Sequence, residues 1–170
     1  MVLFRIFPLF LLLLPAACGY HFPGDGAGPS AQVQTLYVGG IVNRTTEPFI
    51  ETAVANAIIE AFSRRRGIRP IEDEDRAEAL LTGAVTAYSS TPISYDRLDQ
   101  IVEYRSDMTI EVTLQQQSDG RTLWKGAVSW SEEYLANSDK TLQEDNEAQA
   151  IASISDRLAE ELHVRVMDNF

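Results

Sequence analysis

Alternation of apolar and polar residues is strongest in the middle of the chain. Leu81, Gly83, Val85 and Ala87 alternate with Leu80, Thr82, Ala84 and Thr86. Beyond an expected loop from Ser89 to Gln100, Val102, Tyr104, Ser106, Met108, Ile110, Val112 and Leu114 alternate with Glu103, Arg105, Asp107, Thr109, Glu111 and Thr113. A period of two sends successive side chains to opposite faces, so these stretches read as strands with one apolar and one strongly polar face. Ser118-Asp119-Gly120 is a hairpin turn signal. Trp124, Val128 and Trp130 then return on a further strand with Lys125, Ser129 and Ser131 between them, which assigns both tryptophans to the core.

On either side of these strands the period changes. Val33, Leu36 and Val38 make a short strand running into Gly39-Gly40-Ile41-Val42. Thr45-Thr46-Glu47-Pro48 has the form of a helix start, with a Thr cap, an acidic residue and a proline in the first turn. Ile50, Val54, Ala57, Ile58, Ala61 and Phe62 follow as one apolar stripe, closed by Arg64-Arg65-Arg66 against the helix dipole and by Gly67 as a left-handed cap. Ile68 to Ile71 reads as an edge strand interrupted by Pro70. Asp145-Asn146 is expected to cap a last helix carrying Ile151, Ile154, Leu158, Leu162, Val166 and Phe170 at spacings of three and four. The sum is an α+β two-layer sandwich, with two amphipathic helices packed on one face of a roughly four-stranded, mostly antiparallel sheet. The other face is left polar and charged.

The first 31 residues do not belong to that pattern. Arg5 precedes an apolar run from Ile6 to Leu14 that is too short to span a bilayer, and small residues lead to Cys18, the only cysteine in 170 residues. Residues 1–17 therefore read as a signal peptide and Cys18 as the lipidated mature N-terminus. Lipoprotein signals usually place Leu three residues before the cysteine; here Pro15 stands there and Leu14 one earlier. An ordinary signal peptide ending at Cys18, or a spare thiol, are the alternatives, but lipidation accounts for both the presence and the solitude of the residue. Residues 18–31, with Pro23-Gly24-Asp25-Gly26-Ala27-Gly28-Pro29, form a tether, and 32–170 a single domain.

Charge and motif content then exclude classes of function. The formal net charge is −11, and loss of the leader removes the cation Arg5 as well, so neither nucleic acid nor basic attachment to anionic headgroups is expected. Membrane contact must come from acyl chains or a protein partner. His21 and His163 lie far apart and have no ligand spacing; no metal or cofactor is expected. Glu72-Asp73-Glu74-Asp75 lacks the glycine and closing glutamate of a calcium loop and reads as a solvated turn. No nucleophile elbow, phosphate loop or second cysteine is found, so the chain is not expected to be an enzyme.

Cys18-Gly19-Tyr20-His21-Phe22, Asn43-Arg44-Thr45, Pro92-Ile93-Ser94-Tyr95-Asp96, Glu103-Tyr104 and Asp145-Asn146-Glu147 occur in an order and spacing that resemble the LptE family, lipopolysaccharide-assembly lipoproteins of the outer membrane. The resemblance implies two helices on a four-stranded sheet, in agreement with the pattern above. It implies a partner, the LptD β-barrel, which such proteins plug and help to assemble, and lipopolysaccharide as ligand. It also implies a lipid-anchored, outer-membrane location facing the periplasm and the barrel lumen. Glu103, Arg105, Asp107 and Glu111 would form the partner-facing polar face. Basic residues near one end of the sheet would contact the glycolipid: Arg97 falls at one such place, while the second holds Glu144, with Lys140 the nearest cation. The alternative is a periplasm-facing outer-membrane lipoprotein that binds a different envelope protein or ligand.

Replacing Cys18 by Ser is expected to abolish incorporation of radiolabelled palmitate and to leave the precursor unprocessed; labelling of the variant at the unsubstituted level would refute the lipidation reading.

Overall fold

Helices form here where an apolar stripe has a sheet to cover, and strands where alternation leaves one face to be covered. The computed structural model describes residues 33–168; the signal peptide, Cys18, the tether and Phe170 lie outside the described residues. Strand β1 (Thr35–Asn43) leads to helix α1 (Ile50–Arg64), the two-residue strand β2 (Arg69–Pro70), and a single 3₁₀ turn (Glu74–Arg76). Three long strands follow, β3 (Ala79–Tyr95), β4 (Ile101–Gln116) and β5 (Thr122–Leu135), and then helix α2 (Lys140–Asp168). The sheet order is β2-β1-β3-β4-β5, with β1 parallel to β2 and β3, and β3, β4 and β5 mutually antiparallel. The strands number five, one more than expected, because the stretch around Pro70 does pair along the outer edge of β1.

Both helices cover one face. Ile50, Val54, Ile58 and Phe62 of α1 and Ile154, Leu158, Leu162 and Val166 of α2 are buried with Leu36, Leu81, Val85, Met108, Ile110, Leu114 and Val128 in one core. At roughly 1.5–3 kcal/mol for each large apolar side chain buried, this layer is the main favourable term. His163 lies in it, its ring edge-on to Phe62 at 4.9 Å, with Nε2 lacking a hydrogen-bond partner. Burial, and then the nearby Arg65 charge, hold its pKa below the ordinary histidine value.

Element ends depart from the expected caps. The residue preceding α1 is Phe49, in the left-handed region at φ 63 with no side-chain cap, while Asn43 and Thr45 instead brace the preceding loop. Asn43 Oδ1 accepts from the Thr45 N–H at 2.9 Å, and Thr45 Oγ1 accepts from the Glu47 N–H at 3.2 Å. Those oxygens close local turns, which is the competing use of Thr and Asn side chains. At the other end, the chain leaves the helix at Arg65 in extended conformation. Gly67 is therefore not the cap; its φ of 123 serves the turn into β2, under Met167. Helix α2 starts well before Asp145-Asn146. Asp139 is its cap, accepting from the Thr141 and Leu142 N–H groups at 2.9 and 3.3 Å. Its first ten residues bury nothing, so apolar periodicity could not reveal them.

Strand β3 also runs through most of the expected loop and ends at Tyr95. A β-bulge at Thr86 inserts one residue between the pairs Val85–Ile110 and Ala87–Thr109. Beyond it the odd positions turn outward: Ala87 is exposed on the polar face instead of joining Val85 in the core. Trp124 packs against the core across Gly126, whereas Trp130 is 41% exposed near the open edge.

Two outcomes follow. A Cβ on Gly83 would lie 2.7 Å from the Glu111 carbonyl oxygen, whereas Gly40 has open space around it. Gly83→Ala is expected to cost about 1–3 kcal/mol in urea unfolding and Gly40→Ala less than about 0.5. The lowered His163 pKa means that the unfolded chain binds the extra proton first as pH falls. Stability is therefore lost on acidification through the ordinary histidine range, and His163→Gln should remove that component of the urea midpoint's pH dependence.

Candidate functional site

The outer sheet face is built by the odd positions of β4 and their cross-strand partners. Arg105 pairs with Glu133, Asp107 with Ser131 and Thr109 with Ser129, and each pair is joined by a side-chain hydrogen bond. Arg105 Nε donates to Glu133 at 3.2 Å, and the guanidinium pKa is raised by that bond and by the Glu133 charge. Glu103 and Glu111 lie on the same face, opposite Leu135 and Ala127. On the β3 side the bulge brings Ala87, Ser89 and Thr91 into this face, beside Thr109, Asp107 and Arg105. All four residues expected on the polar face are thus brought onto one surface, on the side away from the helices. Small hydroxyl side chains between the charges keep that surface low.

The same bulge changes the inner face. Past Tyr88, the sheet extends beyond the apolar core, and its inner side carries hydroxyls instead. Tyr88 Oη donates to Glu147 at 2.7 Å, so its contact with Ser106 Oγ at 3.0 Å uses the Ser106 proton. Burial first, and then Glu147, raise the Tyr88 pKa far above the tyrosine range, which keeps that proton in place. Ser90 and Tyr134 share a 2.7 Å hydrogen bond, and Tyr134 stacks on Tyr104 at 5.5 Å. Glu47 reaches the same region, its pKa raised by burial and by the Glu147 charge.

At the end of the sheet, residues Asp96 to Gln100 make a tight turn. Asp96 Oδ1 accepts from the Leu98 and Gln100 N–H groups at 2.7 and 3.0 Å, and Asp99 sits in the left-handed region at φ 58. Arg97 and Leu98 are held exposed on this turn, Leu98 at 78%. Ile93, Tyr95, Ile101, Val102 and Leu135 are also exposed around it. Sequence reasoning missed this apolar cluster, because alternation assigned Val102 to the core and Leu98 to a loop. Its signal is a run of large apolar residues on both sides of a tight polar turn.

Lys140 begins α2, which follows β5, so topology places it toward the same end of the sheet as Arg97. Its ammonium is 3.5 Å from Glu144, and both are exposed. The residue at the second expected basic position thus pairs with the cation nearest it. Among the described residues no three His, Cys, Asp or Glu side chains come together as metal ligands do, and no helix is long and apolar enough to cross a membrane.

The family model described as LptE, lipopolysaccharide-assembly, matches residues 33–166, nearly all of the described domain. The chain belongs to the LptE family. Among solved structures, rare lipoprotein B from Shewanella oneidensis superposes with a TM-score of 0.51 at 8% identity, covering 78% of this chain and 92% of that one. A hypothetical protein from Chlamydia trachomatis gives 0.54 at 8%, over 79% and 96%. PelC from Paraburkholderia phytofirmans, a dodecamer, gives 0.51 at 15%, over 82% and 89%. At such identities these likenesses concern the fold alone. No curated protein matches the chain at significance.

Removing the carboxylate that organises the turn should free it. In Asp96→Ala the Leu98 and Gln100 amides are expected to exchange at least about ten times faster, with a stability loss of about 1 kcal/mol, as read by NMR hydrogen exchange and urea unfolding.

Proposed function

We propose that this LptE-family protein is a lipid-anchored outer-membrane component that plugs an LptD-type β-barrel, assists its assembly and contributes to insertion of lipopolysaccharide into the outer leaflet. It acts by binding, without catalysis. The observation that carries the reading is the outer face of β3, β4 and β5: a broad, hydroxyl-rich surface that carries the Arg105–Glu133 ion pair and the carboxylates of Glu103, Asp107 and Glu111, and whose opposite side is packed against the helices. The lumen of a large barrel is polar and wet, and a surface of this composition can rest against it with its carboxylates kept hydrated or met by polar groups of the wall.

Lipopolysaccharide contact has a matching candidate at the turn. An anionic glycolipid offers phosphates and acyl chains together, and Arg97 stands among exposed Leu98, Tyr95 and Ile101. Charge-assisted contact by Arg97 and apolar contact by its neighbours suit the two parts of such a molecule. Lys140 is the second candidate cation. Its ion pair with Glu144 favours the other reading, a periplasm-facing lipoprotein bound to a different envelope partner, since that carboxylate competes with any phosphate.

The test is purification of the C-terminally tagged protein from detergent-solubilised outer membranes. The barrel is expected in stoichiometric amount at moderate salt, and Arg97→Glu/Leu98→Ser should capture several-fold less lipopolysaccharide while retaining the barrel. Recovery of the lipoprotein alone supports the other reading. Undiminished lipopolysaccharide capture by the double variant removes the turn from the binding site.

A further inference from the structure

Among the described residues the sheet has an open edge at β5, and the pattern of its main-chain groups can be read from three hydrogen bonds. The Ala136 N–H donates to the Val102 carbonyl at 3.0 Å, so even-numbered residues of this segment point toward β4. Odd-numbered residues therefore direct their N–H and C=O groups to the free side. Two of those carbonyls are taken by α2: Ala127 accepts from Arg165 Nη1 at 3.0 Å, and Leu135 accepts from Asn146 Nδ2 at 2.9 Å. Between these two clamps, about 27 Å apart along an extended chain, Ser129, Ser131 and Glu133 face the open edge.

This stretch is also a groove. A cavity of about 360 Å³ lies between Glu132–Leu135 of β5 and Asn146, Gln149, Ala150 and Ser153 of α2, with a strand edge as one wall and a helix as the other. Small residues Ala150 and Ser153 keep the helix wall shallow. The groove's ionisable side chains are Glu132 and Tyr134 on the inner side of the strand and Glu133 on the outer side, where Arg105 lines the adjoining cavity and pairs with Glu133. The carboxylates straddle the strand, so a neighbouring strand would meet the Glu132 charge on the inner face and, on the outer face, a Glu133 carboxylate that it would share with Arg105.

We propose that β5 accepts an extended, Lys- or Arg-bearing protein segment as an added strand between Ala127 and Leu135. Backbone pairing to Ser129, Ser131 and Glu133 supplies the alignment, and alternate cationic side chains beside Glu132 and Glu133 supply the selectivity. The α2 clamps set the ends of the added strand, and the two carboxylates discourage edge-to-edge pairing of two copies of this acidic chain. The proposal is independent of the plug reading, which concerns the outer face.

The test uses the full-length chain in detergent micelles with three hexapeptides: alternating Val and Lys, alternating Val and Glu, and the Val–Lys peptide with a central proline. By NMR hydrogen exchange, the Val–Lys peptide is expected to slow the Ser129, Ser131 and Glu133 amides at least about ten-fold, leaving Val128, Trp130 and Glu132 unchanged, and the other two peptides to have no such effect. Ser131→Pro, which removes an outward N–H, should abolish the slowing. Glu132→Lys/Glu133→Lys should transfer the preference to the Val–Glu peptide and serves if the proline variant does not fold. Failure of the Val–Lys peptide to slow those amides, equal slowing by the Val–Glu peptide, or an unchanged preference in the double variant each overturns the proposal.

Discussion

Burial of one sheet face under two helix stripes is the constraint on which the other features depend. The residues that meet there, Phe62, Leu158 and Leu162 from the helices and Leu81, Ile110 and Leu114 from the sheet, are all fully buried. Because this burial is one-sided, the register of β3, β4 and β5 is fixed: a slip by one residue would carry Ile110 and Val112 into water and Glu111 into the core. The polar outer face is the other half of the same constraint. Arg105, Asp107 and Glu111 stand outward because their neighbours must stand inward, and only then can Glu133 and Ser131 find them across the strand.

The end of the sheet follows a different rule. Beyond Met108 the inner face changes from apolar packing to side chains that satisfy one another by hydrogen bonds, with Tyr88, Ser106 and Glu147 in one group and Ser90 and Tyr134 in another. Tyr88 connects to Glu147 in the part of α2 that buries no apolar residue, so a polar contact helps position that part of the helix. Further out, Leu98 and Tyr95 are exposed among the described residues, and the apolar surface they present is bordered by Arg97. Family membership assigns the chain to lipopolysaccharide assembly, and this end is where its surface chemistry changes most sharply.

The long strands, the two helices and their buried stripes were legible because each repeats a period over many residues, and the four charges of the outer face came with them. What escaped was set by single side chains or by tertiary context. The cap of α2 is Asp139, invisible to periodicity since the turns after it bury nothing. Thr45 and Asn43 carry cap chemistry, yet spend it on a loop. Ala87 was placed inside because alternation counts residues and cannot register one that the ladder skips. The open edge of β5 has no signature in the side-chain pattern at all, since it is a property of strand order.

The extra residue at Thr86 works like a shift of reading frame. Upstream, the strand is read with odd positions inside; downstream, the same two-residue alphabet is read with even positions inside, and so one uninterrupted strand can hold a dry core at one end and a hydroxyl network at the other. A single deletion between Thr86 and Pro92 would restore the original frame and exchange the two surfaces from there to the next register shift, between Pro92 and Ser94. In this stretch, length is therefore as constrained as composition: related chains can vary their side chains here more freely than they can gain or lose one residue.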